Sequence, residues 1–262
     1  MGYAKTKTYL IFLFVFSFLL KIAFAFLSPV KYWDETIYAN LGKNLVVYGE
    51  YSFLHGFGDF YPNLPAAGAR PPLIPFLASL VSLFSKDIFW LDFLGPLLSS
   101  IGIFAIYLLA NNLFGKEVAL YSAGIYAFLP LNVFWGSKLL TDISVLTFLM
   151  FSCYFFLKAF YYKESKRTYF SPILFGIFFS LAFFTRYTVI WMVPFFVIWL
   201  FYNEGIAFLR NKKLYAGILS FVLMVLPWFI FNYLEYNSVF GFMHSSLEAS
   251  VRWGSKPYWY YF

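Results

Sequence analysis

Apolar residues fill most of the chain in long blocks, and the polar positions that break them fall into short clusters. A helix needs about 20 apolar residues to cross a hydrocarbon core of about 30 Å. Four blocks come up to that length, residues 8–28, 88–113, 118–135 and 142–161. A fifth, 214–234, contains Pro227, and proline in a membrane helix is tolerated as a kink. Residues 170–202 form a longer apolar run around Thr185-Arg186-Tyr187-Thr188, which reads either as one overlong helix or as two short ones.

The flanking charges choose between those readings. Lys163, Lys166 and Arg167 precede the run, and Arg210, Lys212 and Lys213 follow it. A single span puts the two basic clusters on opposite sides, whereas a hairpin keeps both in the cytoplasm, as the positive-inside rule prefers. The pattern therefore predicts an all-α polytopic membrane protein with about seven transmembrane helices, a cytoplasmic amino terminus and an extracytoplasmic carboxyl terminus. Lys5, Lys7, Lys116 and Lys158 then join the cytoplasmic set. The first block, with Lys5, Lys7 and Ala23-Phe24-Ala25, mimics a secretory signal, but its length and the spans that follow read as an uncleaved anchor.

This topology leaves two outer segments, residues 29–85 and 235–262. In the first, Trp33, Ile37, Leu41, Leu45 and Tyr48 recur at helical spacing opposite Asn40, Lys43 and Asn44. That spacing predicts an amphipathic helix lying in the membrane interface and ending at Gly49. Residues 72–85 are apolar but too short to cross, which predicts a second interfacial or re-entrant helix. With no internal repeat, low-complexity tract or soluble domain, residues 1–262 read as one transmembrane domain.

Composition agrees. The chain is 62% hydrophobic and 12% charged, against about a quarter charged in soluble domains. The net charge of +7 sits in short basic runs between apolar blocks, which fits membrane orientation and not nucleic acid. Cys153, the single cysteine, excludes an intramolecular disulfide and a cysteine metal cluster, and no Asn-x-Ser/Thr sequon occurs.

Candidate chemistry gathers on the outer face. Asp34 and Glu35 follow the first span, Arg70 precedes Pro71-Pro72, Lys138 and Asp142 lie between the third and fourth spans, and Arg186 marks the hairpin tip. Ionisable groups near a membrane are costly, so a set drawn from distant segments points to a site. Such a set supports transfer onto a hydroxyl, with a carboxylate taking the proton and cations holding an anionic leaving group. Plainer roles stand beside this one. Asp34, Glu35 and Asp142 suit helix amino termini, Arg70 suits anionic headgroups, and Lys138 and Arg186 suit snorkelling anchors. Trp33, Trp135 and the closing run 258–262 suit an interfacial belt. No phosphate loop, Gly-x-Ser-x-Gly elbow or His-Glu-x-x-His occurs, and His55 and His244 are isolated. Soluble nucleotide is scarce outside the cell, so an activated donor on that face is expected to be membrane-carried, as a sugar on a polyprenyl phosphate.

Four stretches carry a family resemblance: "DETIYANLGKNLVVYGEYSF" at 34–53, "ARPPLIPFLASLVSLF" at 69–84, "TDISVLTFLMF" at 141–151 and "FFTRYTVIWMVP" at 183–194. In this order they resemble the polyprenyl- or dolichyl-phosphate-sugar-dependent GT-C glycosyltransferases, in particular the PMT-like group of protein O-mannosyltransferases and lipid A aminoarabinose transferases. The resemblance implies an inverting hexose transfer from the lipid-linked sugar to a hydroxyl acceptor on the extracytoplasmic face of the cell membrane. It assigns Asp34 as catalytic base with Glu35 as its partner, Arg70 and Arg186 to the donor phosphate, and Asp142 to an acidic position of the second outer loop. Our reading adds Lys138 to the donor contacts. Some relatives use a divalent metal, and Asp34, Glu35 and Asp142 are the oxygen ligands on offer for magnesium or manganese.

The family's members are usually longer. The chain therefore reads as the amino-terminal module of a longer enzyme, or as a minimal form that works with a membrane partner subunit. Two rival functions remain at this level, a non-catalytic subunit of a glycosylation complex and a lipid or sugar transporter. Transporters place charges near the midplane of repeated halves, a pattern that the sequence lacks.

Overall fold

In lipid, backbone polar groups find no water, so a spanning segment must satisfy them internally, and an apolar block becomes a helix. A computed structural model describes residues 3–28, 31–52, 70–85, 87–162 and 168–241. His55, His244, Lys163, Lys166, Arg167 and the run 258–262 lie outside the described residues. Those residues form ten α-helices and no strand: α1 (Tyr3–Leu27), α2 (Trp33–Val47), α3 (Leu73–Phe84), α4 (Leu94–Phe114), α5 (Lys116–Phe128), α6 (Pro130–Gly136), α7 (Thr141–Phe160), α8 (Phe170–Thr185), α9 (Val193–Glu204) and α10 (Lys212–Tyr236).

Among the described residues, five helical stretches are long and apolar enough to cross a bilayer: Ala4–Leu27, Phe89–Phe114, Thr141–Phe160, Tyr187–Arg210 and Lys212–Tyr236. The protein is an integral membrane protein. The block at 118–135 differs from the straight span expected, because α5 and α6 meet at a 55° bend. Pro130 is the cause. Proline disfavours helical backbone in the residue before it, and Leu129 leaves the helix at φ −56 and ψ 120. Beside the bend, the Asn132 side-chain amide donates to Tyr126 O at 2.6 Å.

The run at 170–202 breaks where its charges indicated. Helix α8 ends at Thr185, Arg186 is extended, and a 3-10 turn over Tyr187–Met192 leads into α9. Phe196 then packs on Phe175 and Phe179, with ring centroids 5.2 and 5.7 Å apart. Helix α9 therefore folds back along α8. At 16 residues α8 is short for a span, and α7 and α10 pack closely on it.

Helix α7 lies between α4 and α8, α10 covers another side of α8, and α1 leans on α4, α5 and α6. Lipid tails are as apolar as leucine side chains, so these helices associate through close packing and interhelical hydrogen bonds. Thr147 Oγ1 donates to Leu98 O at 3.1 Å, Ser17 Oγ to Ala127 O at 3.1 Å, and Ser99 Oγ to Gly136 O at 3.1 Å. Two glycines set the closest approaches. A Cβ on Gly176 would meet Gly217 O of α10 at 2.1 Å, and one on Gly95 would meet Lys138 O at 2.2 Å.

Helices α2 and α3 pack on each other beyond the spans, with Gly42 against Ala78 and the Pro75 carbonyl. Here the structure corrects the expected amphipathic face. Ile37 and Leu41 do not point to lipid; they join Ile74, Leu91, Leu94, Leu98 and Leu139 in a protein core. Asn44 is buried instead of facing outward, and its amide donates to Asn40 Oδ1 at 3.1 Å and Ser52 O at 2.9 Å. A carbonyl in the turn after α2 needed a donor, and Asn44 supplies it.

Gly176→Ala is expected to cost about 1–3 kcal/mol, because the obstacles include the backbone of α10 at Gly217 and Phe221 as well as the Ser220 side chain. A thermal unfolding scan in one detergent reads this. An unchanged midpoint would contradict the packing described.

Candidate functional site

Asp34 and Glu35 occupy the first turn of α2, where the helix dipole favours acidic side chains. Consecutive residues on a helix point about 100° apart, and these two take different surroundings. Glu35 turns inward and is 3% exposed. One carboxylate oxygen accepts from Tyr32 N at 2.8 Å, and the other from Leu139 N at 2.8 Å. It therefore ties the start of α2 to the turn between α6 and α7.

Asp34 turns outward and pairs with Arg70, Oδ1 to Nη1 at 3.0 Å, with its side chain 44% exposed. Arg70 is fixed through its backbone. Tyr51 donates its hydroxyl to Arg70 O at 3.0 Å and Tyr187 donates to the same oxygen at 3.4 Å, while Trp228 Nε1 donates to the Tyr187 hydroxyl at 3.0 Å. The guanidinium remains in reach of whatever sits beside Asp34.

A second ion pair stands nearby. Asp142, in the first turn of α7, pairs with Arg186 at the break between α8 and α9. Tyr38, one helical turn after Asp34, connects the two: it is buried and lies within hydrogen-bonding reach of both Thr141 and Arg70. Burial pushes its hydroxyl above the ordinary tyrosine value, and the Asp34 carboxylate adds to the shift. The Tyr51 hydroxyl is pushed well up by burial too. Both therefore stay protonated at neutral pH.

Lys138 has a different setting. It is 2% exposed, and its ammonium donates to Ser28 O at 2.6 Å, at the end of α1. Four of the six expected residues, Asp34, Arg70, Asp142 and Arg186, thus form two neighbouring ion pairs, while Glu35 and Lys138 brace the backbone beneath. Among the described residues no three His, Cys, Asp or Glu side chains stand together as a metal site. With Glu35 held by backbone amides and both aspartates on arginines, the donor set expected for magnesium or manganese is not assembled in this arrangement.

The sequence reading missed Tyr38, Tyr51, Tyr187 and Trp228. Tyr38 carried one usable signal, its position four residues after Asp34 on the same helix face. The others come from separate segments, and nothing local marks them.

An apolar cavity of about 510 Å³ opens on the far side of the residues that hold the Arg70 carbonyl, walled by Tyr51, Pro72, Phe76, Phe184, Trp228 and Phe231 among others. Tyr51 and Trp228 belong both to this wall and to the hydrogen bonds that lead to the Arg70 carbonyl.

The architecture defines an integral membrane protein of helices with a charged cluster at one end of the bundle, next to an apolar hollow. Residues 69–231, more than half of the chain, match the family described as dolichyl-phosphate-mannose-protein mannosyltransferase, and the chain belongs to that family. It is a membrane glycosyltransferase of the mannosyltransferase type. Comparison with curated proteins gave no match. The matched segment contains Arg70, Lys138, Asp142 and Arg186; Asp34 and Glu35 precede it and reach it through the contacts above.

Glu35→Ala is expected to lower stability by about 1–3 kcal/mol, since it leaves a buried amide at Leu139 unpaired. Asp34→Ala, at a half-exposed pair, is expected to stay within about 1 kcal/mol. Thermal midpoints of both variants in the same detergent check the contrast, and equal shifts would refute the division of roles.

Proposed function

We propose that the protein transfers a hexose from a polyprenyl-phosphate sugar to a hydroxyl acceptor on the extracytoplasmic face of the membrane. The observation that carries this reading is the Asp34–Arg70 pair, whose arginine carbonyl is held by Tyr51, a residue that also walls an apolar cavity of about 510 Å³. A lipid-linked sugar phosphate needs both surroundings at once, a cation for its phosphate and an apolar wall for its first isoprene units.

Asp34 is the proton acceptor. Its carboxylate takes the proton of the acceptor hydroxyl as that oxygen attacks the anomeric carbon from the face opposite the phosphate. The bond from the anomeric carbon to the phosphate oxygen breaks, the configuration inverts, and its electron pair leaves with the polyprenyl phosphate. Arg70 holds that phosphate, because guanidinium matches two phosphate oxygens at once. Arg186, paired with Asp142 next to Thr141, is the second cation that this reading assigns to it. Glu35 and Lys138 act indirectly by holding the amino end of α2 against the turn before α7.

In the structure the Asp34 carboxylate is engaged by the Arg70 guanidinium. Arrival of the donor resolves this: its phosphate competes for Arg70 and leaves Asp34 free to take the acceptor proton. The carboxylate oxygens are thus open to the acceptor hydroxyl only when the donor is in place.

Asp34→Asn is expected to lower transfer by about 10²–10⁴-fold while binding polyprenyl phosphate at least as tightly as the parent. Arg70→Ala is expected to lose polyprenyl phosphate binding itself. The measurements are sugar transfer in membranes supplied with the lipid-linked donor, and retention of polyprenyl phosphate by the purified chain. Transfer by Asp34→Asn at the parental rate would overturn the assignment of the base. Parental binding by Arg70→Ala would overturn that of the phosphate site.

A further inference from the structure

A second charged cavity lies across α2 from the catalytic pairs. It has a volume of about 290 Å³, and its wall includes Lys31, Asn40, Lys43, Ser82, Asp87 and Asp92. Asn40 and Lys43 belong to the face of α2 turned away from Asp34, Leu41 and Leu45, as the 100° step of a helix requires. Both signs of charge are present. Lys31 pairs with Asp92, the Asp87 carboxylate accepts from Phe89 N at 3.0 Å, and Lys43 is exposed.

The surface next to this cavity in sequence is apolar and exposed. Asp87 and Asp92 flank a 3-10 turn, Ile88–Phe93, that opens the α4 span. The same turn carries Phe89 and Trp90, 45% and 50% exposed, and their rings cluster with Phe93 and Phe26 at 5.3–6.0 Å. On the α3 side, Ser82 is followed by Leu83 and Phe84, both exposed. Exposed aromatic residues at the start of a membrane span mark the depth of lipid headgroups. A pocket with two ammonium and three carboxylate groups, of which Glu35 is already taken up by two backbone amides, thus lies at that depth next to an apolar surface on the outside of a span.

We propose that this cavity binds the headgroup of a zwitterionic phospholipid bearing a primary amine, of the phosphoethanolamine class. The phosphate faces Lys31 and Lys43, the ammonium faces Asp87 and Asp92, and the acyl chains lie along Phe26, Phe89, Trp90 and Phe84. A trimethylammonium headgroup has no N–H to donate to the aspartates, and an anionic glycerol headgroup brings no positive charge to them. The site is distinct from the transfer site and does not depend on the donor assignment. Glu35 lines the cavity as well as bracing α2, so the bound lipid would sit against the seat of that helix.

Native mass spectrometry of the full chain in detergent, with phosphatidylethanolamine, phosphatidylcholine or phosphatidylglycerol added in turn, tests the proposal. Phosphatidylethanolamine is expected to be retained at least tenfold better than the other two. Lys43→Ala and Asp87→Asn are each expected to reduce that retention about tenfold, with the lipid-free melting temperature unchanged. Asparagine caps a helical turn as well as aspartate does, so Asp87→Asn removes the charge and keeps the Phe89 contact. Equal retention of the three lipids, preference for phosphatidylglycerol, or parental retention by both variants would overturn the proposal. Displacement of the lipid by soluble glycerophosphoethanolamine alone would overturn the role given to the apolar surface.

Discussion

The Glu35 carboxylate carries the constraint on which the site depends. A buried carboxylate is tolerated only when its oxygens are satisfied, and both oxygens of Glu35 are met by backbone amides from segments more than a hundred residues apart. Breaking either contact leaves a charge inside the protein without its partner, so the two segments are held in one register. That register puts Tyr38 beside Thr141 and brings the two ion pairs together. Gly95 serves the same end from α4, because only a residue without a side chain lets the Lys138 carbonyl approach so closely.

Charge and apolar surface are combined here at one end of the bundle. The aspartates and arginines sit at one end of the bundle, where their side chains are partly exposed, and their anchoring groups are buried. Tyr51, Tyr187 and Trp228 spend their polar atoms on the Arg70 carbonyl and on one another, while Tyr51 and Trp228 present their rings to the apolar cavity. Aromatic residues with one polar end suit such a boundary. The arginine backbone is therefore fixed while its guanidinium can exchange one anion for another.

Much of the fold was legible in the sequence because lipid enforces one simple rule, that spanning segments be apolar helices. The hairpin at Arg186 and the helices over 33–47 and 73–84 followed from length, charge and spacing. Two features did not. The bend at Pro130 turns on how one proline is accommodated, which depends on Asn132 and the neighbouring helices. The inward face of α2 was misread because an apolar stripe looks the same whether it meets lipid or α3, and Asn44 showed its role only once the Ser52 carbonyl was in place. In the site, residue type marked Asp34, Arg70, Asp142 and Arg186, but it was silent on pairing. The aromatic supports come from three distant segments and left no local pattern.

Lys21 shows what the same medium demands when no carboxylate is at hand. It sits within α1, 0% exposed, with its ammonium 5.9 Å from the centre of the Tyr126 ring and its stem beside Gly136. Among the described residues no acceptor meets that ammonium. The ring face offers some compensation, but less than the paired oxygens that Glu35 gives its two amides. Lys138, two residues beyond Gly136, is the contrasting case, because its ammonium reaches the Ser28 carbonyl. Two buried lysines thus converge on the α6 end from opposite directions. Lys138 contributes to the geometry of the site through a definite bond, whereas Lys21 relies on enclosure by α1, α5 and α6. The surface above it is accordingly held by Glu35 and Lys138, and the bundle beneath by close packing.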